Sequence, residues 1–171
     1  TPETAIPGYR ILGLIGKGGM GVVYRAVQLN LGRTVALKTI LVNRLSEQGS
    51  LDRFEQEART IGQLRHPNIV IAHDFGRHAA RVYLAMELID GTDLDQRLRQ
   101  SGRLSEATVW GLIRQTAAGL AHAAQQRVVH RDIKPANLML VEPPEGYSLP
   151  AGLPMVKIAD FGLSILGDDQ Q

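Results

Sequence analysis

The sequence has no cysteine, no long hydrophobic run and no block of basic residues. Without cysteine the chain can form neither disulfide bonds nor cysteine-ligated metal sites. No apolar run approaches the ~18 residues of a membrane-spanning helix, and the first residues lack the basic-then-apolar pattern of a signal peptide. Because the net charge is only +2 and no lysine–arginine cluster stands out, we expect neither nucleic acid nor a membrane surface as a partner.

Hydrophobic residues make up 44% of the 171 residues and charged residues 21%, which is typical of a soluble globular protein. The length allows one ordinary domain or two small lobes around a cleft. The first half of the chain is rich in strand patterns, with one helical pattern over 50–64. The predicted strands there cover residues 9–15, 22–27, 34–40, 69–75 and 81–89.

After residue 90 the pattern becomes mainly helical. A short helix is predicted to begin at a Thr92 or Asp93 cap, and a longer one runs from a Ser105 cap to about Gln125. Two short strand-like runs follow, over 138–141 and 155–158. The order of elements therefore predicts two lobes that join near residue 90.

Three glycines, Gly16, Gly18 and Gly21, are spaced as G-x-G-x-x-G between two strand-like runs. A dinucleotide site would begin a helix directly after the third glycine and place an acidic residue about 20 positions later. Here a strand follows and position 41 is leucine, so that interpretation fails. A strand–loop–strand flap can instead lay backbone N–H groups over phosphates, because glycine has no Cβ.

Lys38 lies in a strand-like run, on the same face as Ala36 and Ile40. A lysine on a half-buried strand usually extends its ammonium group to solvent. Glu57 offers an alternative, since it lies near the apolar face of the helix predicted over 50–64, where a charge is costly unless it is paired. The residues leave open a solvated Lys38 or an ion pair between Lys38 and Glu57.

The strongest signal is the segment from His130 to Asn137, H-R-D-I-K-P-A-N. Apolar runs on both sides bury its flanks and hold the polar groups in a loop between short strands. Such a loop can direct a carboxylate, an ammonium group and an amide oxygen at one point. Asp160, in the triplet D-F-G, adds a second carboxylate at the end of the next strand-like run.

Residues 142–154 contain four prolines and two glycines, which predicts a surface loop. This insertion lengthens the distance along the chain between Asp132 and Asp160. We consider it either a docking surface or a neutral insertion.

Together these motifs resemble the signature set of the protein kinases, and the resemblance extends from Tyr9 to Leu166 with every element in the family's order. The residues at 16–24 and 66–70 are most similar to those of the bacterial, eukaryotic-like (Hanks-type) serine/threonine kinases. The resemblance implies an α+β, bilobal fold with a complete β-rich small lobe and only the first part of the helical large lobe. The implied division is a lead-in over 1–8, a small lobe of a five-stranded sheet and one helix over 9–86, a hinge over 87–91 and a truncated large lobe over 92–171.

The resemblance also implies transfer of the γ-phosphoryl group of ATP to serine or threonine hydroxyls of a protein substrate, with Mg²⁺ or Mn²⁺. Asp132 would accept the proton of the substrate hydroxyl, and Lys134 would neutralise the transferring phosphoryl group. Lys38 would hold the α- and β-phosphates. Asn137 and Asp160 would bind the metal through hard oxygen ligands.

The other implied nucleotide contacts come from the small lobe, the hinge and the first strand after the catalytic loop. They are Gly16, Gly18 and Gly21 over the phosphates, Glu57 beside Lys38, Val23, Ala36 and Met139 on the adenine, Met86 at the back of the pocket, and the backbone of Glu87 and Ile89 at the adenine edge.

In the family, an activation segment and further helices follow the point at which this chain stops. We therefore expect the chain alone to lack protein phosphorylation and to leave the apolar face of the helix after Ser105 exposed. The implied location is the cytoplasm, with membrane anchoring through another region left open.

Two other interpretations compete. A pseudokinase or nucleotide-binding regulatory module is disfavoured because Lys38, Asp132, Asn137 and Asp160 are all present. A small-molecule kinase, such as an aminoglycoside phosphotransferase, typically has glycine at the place of Arg131 and lacks the lysine found here at 134.

Overall fold

The computed structural model describes residues 6–18, 21–41 and 50–161, apart from the side chains of 50–54 and 57. The described residues divide into two compact units, one within 6–63 and 71–88 and the other within 64–70 and 89–161. We call them the first and the second unit. The strands are β1 (Tyr9–Gly18), β2 (Gly21–Gln28), β3 (Arg33–Leu41), β4 (Ala72–His78), β5 (Arg81–Glu87), β6 (Thr92–Asp93), β7 (Leu138–Val141) and β8 (Met155–Ile158). The helices are α1 (Ser50–Ile61), α2 (Leu94–Ser101) and α3 (Glu106–Gln125), and Pro135–Asn137 forms a 3₁₀ turn.

The first unit is an antiparallel sheet with the strand order β1-β2-β3-β5-β4. Strand β3 lies in the middle and is buried on both faces, which fits its β-branched and aliphatic sequence. Val35 and Leu37 are fully buried on one face. They belong to a cluster with Ile6, Tyr9, Ala26 and Ala85. Helix α1 packs against β4.

A hydrogen-bond network centred on Tyr9 joins the two edge strands of this sheet. The Tyr9 hydroxyl donates to Asp74 on β4 at 2.5 Å and accepts from Gln28 Nε2 at 3.2 Å. Arg33 Nε donates to the Gln28 side chain at 2.6 Å. Burial, and then the Asp74 carboxylate, raise the pKa of the Tyr9 phenol, so the hydroxyl stays a donor. The network therefore holds the beginning of β1 against the rest of the sheet.

The second unit combines α2 and α3 with the antiparallel sheet β6-β7-β8. Asp93 caps α2 by accepting from the Gln96 N–H at 2.8 Å. Ser105 caps α3 by accepting from the Thr108 N–H at 3.2 Å, as the sequence predicts. Helix α3 packs on β8, the strand that leads to Asp160.

Part of α3 carries apolar side chains that the described residues leave uncovered. Val109, Trp110 and Ile113 are 39%, 58% and 49% exposed, although Leu112 on the same helix is buried. Val109 and Ile113 line an almost wholly apolar groove of about 420 Å³. The sequence predicts exposure of the whole apolar face, but only part of it is exposed, since Leu112 and Thr116 are buried. No helix in the described part of the chain has the length and hydropathy to cross a membrane.

The predicted α+β class is confirmed, but two boundaries around residues 62–71 are wrong. Helix α1 ends at Ile61 and not at 64, and β4 begins at Ala72 and not at 69. The backbone of 68–70 pairs with β8 instead: Ile158 N–H donates to the Asn68 carbonyl at 2.8 Å and Val70 N–H to the Ile158 carbonyl at 3.0 Å. A local pattern cannot reveal a partner strand about 90 residues away.

Asn68 is the centre of a buried polar cluster in the second unit. Its Nδ2 donates to Gln115 Oε1 at 3.1 Å and to the Val156 carbonyl at 2.8 Å. The same Gln115 oxygen accepts from the Val156 N–H at 3.0 Å, and Gln115 Nε2 donates to the Pro154 carbonyl at 3.0 Å. Because Asn68 is 3% exposed and Gln115 is 8% exposed, water cannot easily replace these bonds. The cluster fixes β8 to α3 and thereby positions the residues that follow β8.

Replacing Asn68 by alanine should lower the free energy of unfolding by about 1–3 kcal/mol, because the Val156 carbonyl and the Gln115 oxygen lose a buried donor. Amide hydrogen exchange in the full-length protein should show faster exchange at Val156 and Ile158. Asn30→Ala, in an exposed turn, is the matched control. Unchanged exchange at β8 in the Asn68 variant would contradict this account.

Candidate active site

Lys38 lies on the central strand of the first unit. Its register partner on β2 is Val23, and Ala36, two positions earlier on the same face, pairs with Met86 on β5. Strand alternation and register therefore place these four predicted nucleotide-binding residues on one face of the sheet. Lys38 is 7% exposed, which argues against a solvated ammonium group. The Glu57 side chain lies outside the described residues, so its pairing with Lys38 stays a prediction.

The glycine-rich hairpin connects β1 and β2, with Gly16 opposite Val23 and Gly18 opposite Gly21. At Gly21 φ is +153°, and a Cβ there would collide with the Thr39 carbonyl on β3. At Gly16 and Gly18 a Cβ would meet no atom within 4 Å. Packing of the sheet thus accounts for the third glycine, whereas open space lies beside the first two.

Glu87 is the last residue of β5, a strand that the sequence pattern predicts to extend to residue 89. The Glu87 backbone N–H donates to the Ile71 carbonyl at 2.8 Å, and the Glu87 carboxylate accepts from the Ile71 N–H at 3.3 Å. The Glu87 N–H therefore already donates a hydrogen bond within the first unit. Ile89 belongs to the second unit, and its side chain is half-buried.

In the second unit, the structure brings together three of the predicted site residues, Asp132, Lys134 and Asn137. Asp132 Oδ2 accepts from Lys134 Nζ at 2.8 Å and from Asn137 Nδ2 at 3.2 Å. Asn137 Nδ2 also donates to the Asp132 carbonyl at 2.8 Å, which closes the loop on itself. The 3₁₀ turn over Pro135–Asn137 makes this possible, because it brings the side chain of Asn137 back toward Asp132.

These contacts set the protonation of Asp132. The hydrogen bond from Lys134, followed by the bond from Asn137 and the charge of Lys134, lowers the pKa of the Asp132 carboxyl against an opposing effect of burial. The carboxylate is therefore ionised at neutral pH, and its side chain is 40% exposed and can be reached from solvent. An ionised, accessible carboxylate can accept a proton.

His130 begins the motif that the sequence analysis singled out, but its structural contacts were not predicted. It is 2% exposed, and its Nε2 lies 2.8 Å from the Ala159 carbonyl. Because a carbonyl can only accept, Nε2 carries the proton, and Nδ1 accepts from the Asp132 N–H at 3.2 Å. The ring also packs edge-on against Phe161 at 4.6 Å between ring centroids. His130 therefore ties the loop that carries Asp132 to the strand end that carries Asp160.

Two residues of the site have a backbone conformation that is unusual for their side chains. Arg131 has φ +68° and Asp160 has φ +59°, in the left-handed region that most residues other than glycine avoid. Such conformations cost about 1–3 kcal/mol each and persist where the surroundings enforce them. Here the His130 bonds to Asp132 and to Ala159 act directly beside both positions.

The predicted metal ligands are consistent with a hard cation. Asn137 is 6% exposed, and because its Nδ2 is bound to Asp132, its Oδ1 is the atom available as a ligand. Asp160 follows β8 and supplies a carboxylate. Among the described residues there is no group of three or more histidine or acidic side chains that could hold a metal. Mg²⁺ commonly needs only one or two carboxylates, since substrate phosphates and water complete its shell.

Met139 lies on β7, between Asp93 on β6 and Lys157 on β8, and its side chain is half-buried. The last residue of the D-F-G triplet, Gly162, lies outside the described residues. Of the predicted site residues, Lys38, Val23, Ala36 and Met86 thus share one sheet face in the first unit, and Lys134 and Asn137 contact Asp132 in the second.

Comparisons with known proteins identify the family of this chain. The family model described as protein kinase domain matches residues 9–171. Serine/threonine-protein kinase pkn3 of Myxococcus xanthus is 38% identical over 161 residues, covering 94% of this chain and 28% of that protein. Serine/threonine-protein kinase PknA of Mycobacterium tuberculosis is also 38% identical over 161 residues, covering 91% of this chain and 35% of that protein. The chain thus spans about a third of the length of these relatives.

A similar fold is found among solved structures. The crystal structure of the Mycobacterium tuberculosis PknI kinase domain has a TM-score of 0.75 and 27% identity, covering 94% of this chain and 62% of that one. A crystal structure of a point mutant of the same domain has a TM-score of 0.77 and 26% identity with the same coverage. The predicted kinase-like fold is confirmed.

The pairing with Lys134 makes a prediction about Asp132. Lys134→Ala should raise the pKa of the Asp132 carboxyl toward its usual value, because the largest stabilising contact of the carboxylate is removed. Carboxyl ¹³C chemical shifts measured against pH in the full-length protein report this pKa, with Lys17→Ala as the lysine control.

The lowered pKa of Asp132 determines how its contribution to the stability of the folded state changes with pH. Ionised Asp132 stabilises the folded state at pH values above its unfolded pKa of about 3.9, and this contribution is lost as the pH falls through the lower folded pKa. Lys134→Ala should reduce that loss on acidification. An Asp132 pKa that does not move in the Lys134 variant would contradict the role given to this pair.

Proposed function

The chain belongs to the protein kinase domain family, and on that ground we propose that the protein containing it transfers the γ-phosphoryl group of ATP to serine and threonine hydroxyls of protein substrates. The observation that carries the proposal is the cluster of Asp132, Lys134 and Asn137 on one loop, held by His130. Phosphoryl transfer requires positioned charge more than covalent chemistry by the protein, and this cluster supplies it.

Asp132 would accept the proton of the substrate hydroxyl. In the structure its carboxylate is bound to Lys134 Nζ, which lowers the pKa of Asp132 and weakens it as a base. A phosphoryl group that attracted the Lys134 ammonium group would release the carboxylate and raise that pKa. Lys134 would then neutralise the transferring group while Asp132 becomes a better base, so that substrate binding itself activates the site.

Asn137 Oδ1 and the Asp160 carboxylate would hold Mg²⁺ or Mn²⁺, which would neutralise charge on the nucleotide phosphates. The first unit would bind the phosphates themselves. The buried ammonium group of Lys38 would face the α- and β-phosphates, and Glu57 would be its carboxylate partner. The open space beside Gly16 and Gly18 would let the hairpin backbone approach the phosphates.

The adenine would be bound mainly by apolar side chains, with Val23, Ala36 and Met139 against the ring and Met86 behind it. The Glu87 N–H donates to the Ile71 carbonyl. The Glu87 carbonyl, together with the backbone of Ile89, would therefore hydrogen-bond to the edge of the adenine. A nucleotide-binding module without phosphotransfer is not favoured, because the residues for proton, phosphate and metal are all present.

Asp132→Asn should lower kcat for phosphotransfer by about 10²–10⁴-fold, because the amide cannot accept the hydroxyl proton. The assay uses full-length protein, γ-labelled ATP, Mg²⁺ and a pool of peptides containing serine or threonine. Asp95→Asn, on the surface of α2, is the matched control and should keep wild-type activity.

ATP affinity separates a chemical defect from a folding defect. Asp132→Asn should bind ATP as the wild type does, whereas Lys38→Met should lower both ATP affinity and kcat because it removes the phosphate contact. Asp132→Asn activity within about tenfold of the wild-type kcat would overturn the assignment of the base.

A further inference from the structure

A second cavity, of about 720 Å³, lies in the second unit. Its walls are the insertion 142–154, the connection between α2 and α3, and the residues that precede β6. None of the proposed catalytic or metal-binding residues lines it. Its volume is within the range of about 300–1,000 Å³ that is usual for ligand pockets. We call it the insertion pocket.

The insertion 142–154 forms an ordered wall of the insertion pocket. It contains two tight turns, closed by bonds from Tyr147 N–H to the Pro144 carbonyl at 2.9 Å and from Leu153 N–H to the Pro150 carbonyl at 3.0 Å. Gly146 and Gly152 have φ of +82° and +77°, conformations that these turns require and that glycine adopts without strain.

Helix α3 anchors the end of this wall. Gln115 donates to the Pro154 carbonyl at 3.0 Å. The Leu153 side chain packs on Gly111, where a Cβ would lie 2.6 Å from a Leu153 methyl group. The small residue on the helix and the leucine of the insertion therefore fit each other, and the pocket has a defined shape.

The pocket carries charges of both signs. Arg97 and Arg103 come from α2 and from the chain directly after it. Asp90 and Glu142 come from neighbouring segments of the wall, because Gly91, the residue after Asp90, packs closely on the Leu140 carbonyl, two residues before Glu142. Among the described residues, none of these four side chains forms an ion pair or a hydrogen bond. Their charges are therefore available to a ligand.

The remaining lining is apolar or carries hydroxyl groups. Leu104, Leu112, Leu149 and Leu153 supply aliphatic surface, and Ser101 lies near the two arginines in the chain. The carboxylates disfavour a polyanion such as nucleic acid or polyphosphate, and the four charges disfavour a purely aliphatic ligand. A ligand that combines an acidic group, a basic group and an apolar group would complement this lining.

We propose that the insertion pocket binds a peptide segment of a protein partner, with an acidic side chain facing Arg97 and Arg103, an apolar side chain on the leucines and a basic side chain facing Asp90 and Glu142. A peptide chain readily presents these three groups within a few residues. The proposal does not depend on phosphotransfer, since no residue proposed for catalysis lines the pocket.

The test uses full-length protein and a fluorescent pool of short peptides with blocked termini, with Asp or Glu near the start, Leu, Met or Phe in the middle, and Lys or Arg near the end. Binding is measured by anisotropy. The double variant Arg97→Ala, Arg103→Ala should weaken binding by about tenfold or more. Ala151→Trp, which introduces a large side chain at an exposed lining position, should weaken it similarly without changing a charge.

Arg99→Ala is the matched control, because this arginine lies on α2, pairs with Asp95 and does not line the pocket. Changing Arg97 and Arg103 together to glutamate should restore binding to a pool whose acidic residue is replaced by lysine. Asp132→Asn should bind the original pool normally, which separates this site from the catalytic one.

Three results would overturn the proposal. They are the absence of any binding by the pool up to about 1 mM, binding that is unaffected by both the arginine and the Ala151 variants, and displacement of the bound peptides by polyphosphate or by a fatty acid.

Discussion

The site in the second unit depends on one buried imidazole. His130 donates a hydrogen bond to the carbonyl just before Asp160 and accepts one from the N–H of Asp132. Only the neutral ring with its proton on Nε2 makes both bonds, so burial and hydrogen bonding select a single tautomer. If the ring turned or lost one bond, the proposed base and the proposed metal ligand would no longer be held to a common point. The unusual backbone at Arg131 and Asp160 is tolerated next to these bonds.

The polar groups that hydrogen-bond to Asp132 stabilise the folded loop and also have roles in the proposed reaction. Lys134 and Asn137 satisfy the Asp132 carboxylate in the structure, and the proposed reaction has another use for each of them. The contacts that keep the carboxylate ionised also make it a weak base, so the arrangement favours a base that strengthens when phosphate attracts the lysine. In the first unit, Lys38 also links folding to the proposed chemistry. Its buried ammonium group lies on an apolar sheet face and is stable only beside negative charge.

Sequence patterns located nearly every element, because strands of β-branched residues, helix caps and glycine turns are signals carried by neighbouring residues. Ser105 and the end of α3 at Gln125 were predicted correctly for this reason. The sequence pattern places residues 69 and 70 at the start of the strand that is β4, yet the segment 68–70 pairs with β8, and Asn68 also bonds to α3. The two-residue strand β6 and the 3₁₀ turn before β7 are too short to give any periodic signal.

The sequence by itself determined the charged residues of the loop 130–137 and the position of Lys38 on a strand face, because spacing and residue type decide them locally, and its resemblance to the protein kinases implied the fold class. Only the tertiary structure decided that Lys38 is buried, that His130 joins Asp132 to the end of β8, and that the insertion 142–154 closes over α3 to make a pocket. These features arise from contacts between segments far apart in the chain, and the free energy of such contacts depends on packing that no local pattern contains.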